Sequence, residues 1–217
     1  EISCSLVGSE MCIRDRITIA TTPGMGALLI PIVASALKPA FPQILLHNIA
    51  ITDAARQLDQ RQVDLLIDTH LHSGQAISHH VLYQDRVRMY CRAEHPALHG
   101  PQDEAHLAQY EFALLLPEGQ RYPTLHRRLQ EEMGERRCGF STFNLLTQAA
   151  MIAESDMLGL TTERLFAMVS RLWPLQTLDF HSLQDEKINV ALHYNKQSGK
   201  EPLLKEIIET VIQAFKA

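Results

Sequence analysis

The chain has 217 residues, 46% of them apolar, which is enough for two modest cores, so a two-lobed protein is expected. Its formal net charge of −5 argues against the broad basic footprint needed to grip a phosphate backbone. No window approaches the roughly 18 consecutive apolar residues of a membrane span, and no basic stretch leads an apolar segment into a cleavage site, so a cytoplasmic protein is expected.

Residues 1–16 show no helical or strand periodicity, and LVGSEMCIRDR reads as translated sequencing-adapter sequence joined to a truncated gene, or else as a disordered leader. They are left out of the expected fold. Residues 17–22 then read as a strand ending in the turn-forming run Thr22-Pro23-Gly24. Met25, Leu28, Leu29, Ile32, Val33, Ala36 and Leu37 line one face of a helix that Pro31 should kink or shorten and that Pro39 and Pro42 should end. Residues 43–50 form a second strand, 53–60 a short helix capped by Thr52 or Asp53, and 63–69 a third strand. This βαβαβ order is the signature of a parallel sheet.

The unit recurs. Residues 112–116 read as a strand, 122–133 as a helix, 137–141 as a strand, 142–154 as a helix, 157–161 as a strand and 163–169 as a helix. Between and after the two units, residues 83–91 and 187–194 read as strands that cross between lobes. A last helix has Pro202 in its first turn and an apolar stripe of Leu203, Leu204, Ile207, Ile208, Val211, Ile212 and Phe215. It is expected to return to the first lobe. The lobes are then residues 17–91 with 188–217, and 92–187.

Five segments, in this order and spacing, carry a resemblance: ITIATTPG, LLIPIVASALK leading to Phe41-Pro42, LDQRQVDLLI, the crossover around His95-Pro96, and MLGLTTERL. They resemble the effector-binding domain of LysR-type bacterial transcription regulators from Ile17 to Phe215. The resemblance implies an α/β fold of two Rossmann-like lobes joined by two crossover strands, of the type 2 periplasmic-binding-protein kind. It also implies a small-molecule effector between the lobes, a homodimer or tetramer, and DNA contact only through a winged helix-turn-helix that nothing before Ile17 could supply. Two departures stand out: Arg61 where the family has glycine, and Thr161-Thr162 where leucine-proline is usual. An exported solute-binding protein of a transporter is the alternative with a similar fold.

In open parallel sheets ligands bind beyond the carboxyl ends of the strands. That rule selects Thr21, Thr22 and Gly24 after the first strand, Thr52 after the second, Ser141 and Thr142 in the second lobe, and Thr161 after the next strand. Gln120 and Arg121 follow the first strand of the second lobe and suit the opposite wall, an arginine fork fitting a carboxylate. Threonine and serine are equally ordinary helix caps, and Arg121 equally a solvated loop residue.

Other chemistries find little support. Cys4, Cys12, Cys91 and Cys138 lie far apart and read as free thiols. His70, His72, His79 and His80 lack a regular metal motif and read as loop histidines, so no metal or cofactor is expected. Asp64 and Asp68 share a strand face but stand too far apart for one acid/base centre. Gly24-Met25-Gly26 is too short for a dinucleotide fingerprint, and HExxH, P-loop and GxSxG motifs are lacking, so an enzyme is not expected.

Overall fold

Ile17, Ile19, Ala20 and Thr21 are buried in succession, on alternate faces of one strand, because that strand is covered on both sides as parallel strands are. The computed structural model describes residues 16–115, 137–183 and 185–216. Strand β1 (Arg16–Thr21) lies parallel to β2 (Leu45–Ala50) and β3 (Leu65–Asp68). Arg16, excluded from the expected fold, pairs with Leu45 and opens the strand.

Helix α1 (Pro23–Leu37) runs through Pro31 without stopping. Pro31 and Ala27, whose carbonyl loses its N–H partner there, both sit on the exposed face, where water can satisfy that carbonyl. The buried stripe is Met25, Leu29, Val33 and Leu37, one residue per turn. Asp53 rather than Thr52 caps α2 (Ala54–Asp59), its carboxylate accepting from the Arg56 N–H at 3.0 Å.

After α2 the chain reverses through Arg61 at φ 53°, the one positive-φ non-glycine among the described residues. A left-handed conformation costs an ordinary residue about 1–2 kcal/mol, part of which glycine loses again to its greater freedom when unfolded. Arg61→Gly is therefore expected to raise the unfolding free energy by up to about 1 kcal/mol, read as a higher denaturation midpoint.

Strand β4 (Ile77–Arg92) links the lobes. Its residues 77–86 pair antiparallel with β9 (Lys187–Asn195), and from Val87 to Arg92 it pairs instead with β7 (Leu158–Thr162) and β8 (Leu175–Leu178). His79 and His80 thus lie in a strand, not in the loop expected for them. In the second lobe β5 (Phe112–Leu115) lies parallel to β6 (Cys138–Thr142) and to β7. The strands follow the order β2-β1-β3-β9-β4-β7-β5-β6, with β8 on β4.

Helix α3 (Glu104–Leu107) precedes β5; α4 (Leu145–Ala153) follows β6 and α5 (Glu163–Val169) follows β7. The last helix, α6 (Pro202–Ala214), packs against α1. Leu145, Ala149, Leu165 and Val169 of the second lobe share one apolar core with Met25, Leu29 and Val33 of the first, so the lobes touch through their helices. The helix expected at 122–133 lies outside the described residues.

Candidate functional site

The carboxyl ends of β1, β3, β5 and β7 converge on a cavity of about 70 Å³ between the lobes. Thr22, Gly24 and Met25 at the start of α1 form one wall, with Thr69 just past β3. Leu114 and Leu115 of β5, Phe143, Leu145 and Gln148 before and on α4, and Leu160, Thr161 and Thr162 at the end of β7 form the other. Val87 and Ile188 from the linking strands close the base.

Thr22, Gly24 and Thr161 are the sequence-selected residues that meet here. Thr22 occupies the N-cap position of α1 but makes no capping hydrogen bond, and Thr162 behaves the same way before α5. Thr161, selected as a ligand residue with a helix cap as the alternative, lies in β7; its Oγ1 is buried without a hydrogen-bond partner, as is that of Thr69.

The other selected residues point to different work. The Thr21 hydroxyl accepts from the Asn48 side-chain amide at 3.0 Å, and a side chain at Gly26 would collide with both, its Cβ 2.6 Å from Thr21 Oγ1. Thr52 is exposed, its N–H donating to Gln57 Oε1 at 3.0 Å. Ser141 is exposed on β6, and Thr142 ends that strand instead of starting a helix, its hydroxyl accepting from the Asn144 N–H. Asn144 takes the cap of α4. Gln120 and Arg121 lie outside the described residues.

Gln148 was not singled out by sequence, although a glutamine in the stripe Leu145, Ala149, Ile152 is an anomaly that marks it. It is fully buried, accepts from the Tyr90 hydroxyl at 3.0 Å and donates to the Ala113 carbonyl at 2.7 Å. Burial pushes the Tyr90 phenol well above its usual pKa, so it stays a donor. Thr69 follows the same strand-end rule that selected the others and was overlooked.

Next to Thr69 sits a polar cluster. The buried Asp68 carboxylate meets His72 Nε2 at 2.9 Å, and the His72 backbone N–H donates to His193 Nε2 at 3.2 Å. His70 stacks edge-on to His72, and His79 lies beside His193 on the neighbouring strand. Burial, then the neighbouring His72, lower the His193 pKa to about 4, against the pull of Asp68. Among the described residues no group of three or more His, Cys, Asp or Glu side chains is arranged to hold a metal ion, and no helix is long and apolar enough to cross a membrane. Asp64 serves the fold: its carboxylate accepts from the Thr18 N–H at 2.8 Å.

Comparison with known proteins agrees with this architecture. The HTH-type transcriptional regulator YbeF of Escherichia coli K12 is 42% identical over 202 residues, covering 93% of this chain, and the chain spans 64% of YbeF's length. A probable transcriptional regulator of Pseudomonas aeruginosa has the same fold, with a TM-score of 0.80 at 16% identity over 91% of this chain and 66% of its own. So does the regulatory domain of the LysR-type regulator CrgA of Neisseria meningitidis, with a TM-score of 0.72 at 14% identity over 92% of this chain and 98% of its own. The model of the LysR substrate binding domain matches residues 13–216, and the chain belongs to that family.

Proposed function

We propose that this chain is the sensing part of a LysR-type transcription regulator, in which a small molecule held between the lobes alters how attached DNA-binding domains meet an operator. The observation that carries this reading is the cavity, whose walls come from both lobes and whose base is the two strands that join them. A ligand touching both walls favours one lobe arrangement over another, and that difference in affinity is the signal. The lobes, read from the sequence as 17–91 with 188–217 and 92–187, would turn a few residues before that bound, where β4 exchanges partners between Arg86 and Val87.

Contact with DNA belongs, on this proposal, to a helix-turn-helix region such as the name of the E. coli relative states for that protein, and the whole regulator works in the cytoplasm as a homo-oligomer. The free edge of β2, where Leu45 is 63% exposed, is a candidate pairing surface. Family membership favours this reading over an exported solute-binding protein. It also favours a sensor over an enzyme: the cavity brings together threonine hydroxyls and apolar side chains, with no nucleophile and base in hydrogen-bonding reach among the described residues.

A thermal-shift screen of small metabolites tests the reading. A ligand at one hundred times its Kd adds about 2.7 kcal/mol of stability. Thr22→Val is expected to weaken the shift, and Leu114→Trp, which fills the cavity, to abolish it. Ligands that stabilise Leu114→Trp as well as the unaltered chain bind elsewhere and reject the cleft as the sensing site.

A further inference from the structure

The cleft's lining also says which ligands suit it. Its apolar walls are Met25, Leu114, Phe143, Leu145, Leu160 and Leu165, and among the described residues no charged side chain reaches it. The amide of Gln148 is already engaged on both sides, by Tyr90 and by the Ala113 carbonyl. Besides the Thr22 and Thr162 hydroxyls, which make no capping bond, the lining holds Thr161 Oγ1, on a residue only 7% exposed, and Thr69 Oγ1, both buried without a partner.

An anion would look to the start of α1, where the first-turn N–H groups of Gly24 and Met25 have no intrahelical acceptor and Pro23 supplies none. Leu145 lies over that turn: a Cβ at Gly24 would stand 2.9 Å from Leu145 Cδ2 and 3.1 Å from its Cβ. Hydrocarbon therefore packs against that turn at Gly24. A carboxylate left in this cavity would lose its water without gaining a cation from the described residues, a cost that buried ions offset only through close pairing and full hydrogen bonding.

From this lining we infer that the effector is an uncharged, mainly apolar small molecule with a hydrogen-bond acceptor met by the Thr161 hydroxyl. The inference rests on the proposal that the cleft is the sensing site, and it fixes the chemical class of what binds there. A volume of about 70 Å³ suits a compact molecule, since one water position takes about 10–15 Å³ on the same measure.

The test compares benzamide with benzoate, alike in shape and different in charge, by calorimetric titration and ligand-observed NMR on the full chain at neutral pH. Benzamide is expected to bind about tenfold or more tightly than benzoate. Thr161→Val is expected to weaken benzamide about tenfold, the effect of leaving its carbonyl unpaired in an apolar site. The same substitution should leave the unliganded melting temperature unchanged or raised, because it removes a buried hydroxyl that has no partner, whereas a structural threonine would lower it. Leu145→Ala, which uncovers the start of α1, is expected to narrow the preference for the amide.

Benzoate binding as tightly as benzamide, benzamide indifferent to Thr161→Val, or no benzamide binding at millimolar concentration overturns the inference. If benzoate is the tighter ligand and Leu114→Trp abolishes its binding, only the neutral class falls and the cleft stands. If Leu114→Trp leaves the bound probe untouched, the cleft reading itself falls.

Discussion

Gln148→Met is expected to lower the unfolding free energy by about 3 kcal/mol, the largest loss from any single residue lining the cleft. Methionine matches the length and volume of glutamine and prefers a helix at least as well, so packing and propensity change little. Hydrogen bonding changes completely. The Tyr90 hydroxyl, on a fully buried ring, loses the Oε1 it donates to at 3.0 Å, and the Ala113 carbonyl loses a donor at 2.7 Å. Each buried polar group left unpaired costs about 1–3 kcal/mol. Because Tyr90 sits on β4, Ala113 on β5 and Gln148 on α4, the loss loosens the second wall of the cleft as a unit. Tyr90→Phe in the Gln148→Met background is expected to restore about half the loss, since it deletes the stranded hydroxyl; the two changes therefore couple strongly in a double-mutant cycle. Denaturant melts of the four proteins decide it, and strictly additive losses would refute the shared hydrogen bond.

Most of the framework was readable where apolar periodicity and punctuation agree. Residues 163–169 were expected as a helix and form α5 with those bounds, and the stripe from Leu203 to Phe215 became α6. Pattern failed where a local preference met a tertiary partner. Ile77 to Leu82 contain Ser78, His79 and His80, which look like loop, yet β9 supplies a partner strand for their backbone and a bulge between Val81 and Tyr83 absorbs the irregularity. The start of α4 was misread because Thr142 and Asn144 are both good caps; the pairing of Thr142 with Leu115 keeps it in β6, and the cap passes to Asn144. The exchange of β4 from β9 to β7 and β8 falls within one continuous strand, so no turn residue marks it in the sequence.

The strand-end rule led to the residues around the cavity but could not choose between neighbours. Thr21 and Thr22 are adjacent, yet Thr21 turns to Asn48 on the next strand while Thr22, one residue on at the helix start, faces the cavity. Thr161, one residue before the end of β7, is buried without a partner, whereas Ser141, at the matching place on β6, is exposed. Leu145 falls in the helix expected at 142–154, but its position over Gly24 depends on how the lobes meet. The family model and the fold-level likenesses speak for the architecture; which side chains line the cavity follows from this chain's own geometry.

Acid is expected to destabilise the chain between about pH 6.5 and pH 4 through His193. This histidine is fully buried, and its pKa falls from 6.5 to about 4, first through burial and then through the neighbouring His72. Asp68 and the Leu66 backbone pull the other way, while His79 on β4 lowers it further. The unfolded chain binds the His193 proton below pH 6.5 and the folded chain does so only near pH 4. A depressed histidine therefore leaves stability whole above pH 6.5, and the loss grows as pH falls towards 4, to a limit of about 3 kcal/mol. His193→Gln isolates this contribution, because its Oε1 can still accept the His72 N–H while the group no longer titrates. Stability measured by denaturant at pH 7.5, 6 and 4.5 is expected to decline more steeply for the parent chain than for His193→Gln, whatever their difference at pH 7.5. Parallel declines would assign the acid sensitivity to other groups. The effect should reach the cleft as well, since Asp68 and His72, which bind this cluster together, flank the turn that begins at Thr69, and Thr69 lines the cavity. A cleft ligand is accordingly expected to lose affinity over the same acid range in the parent chain and to keep more of it in His193→Gln.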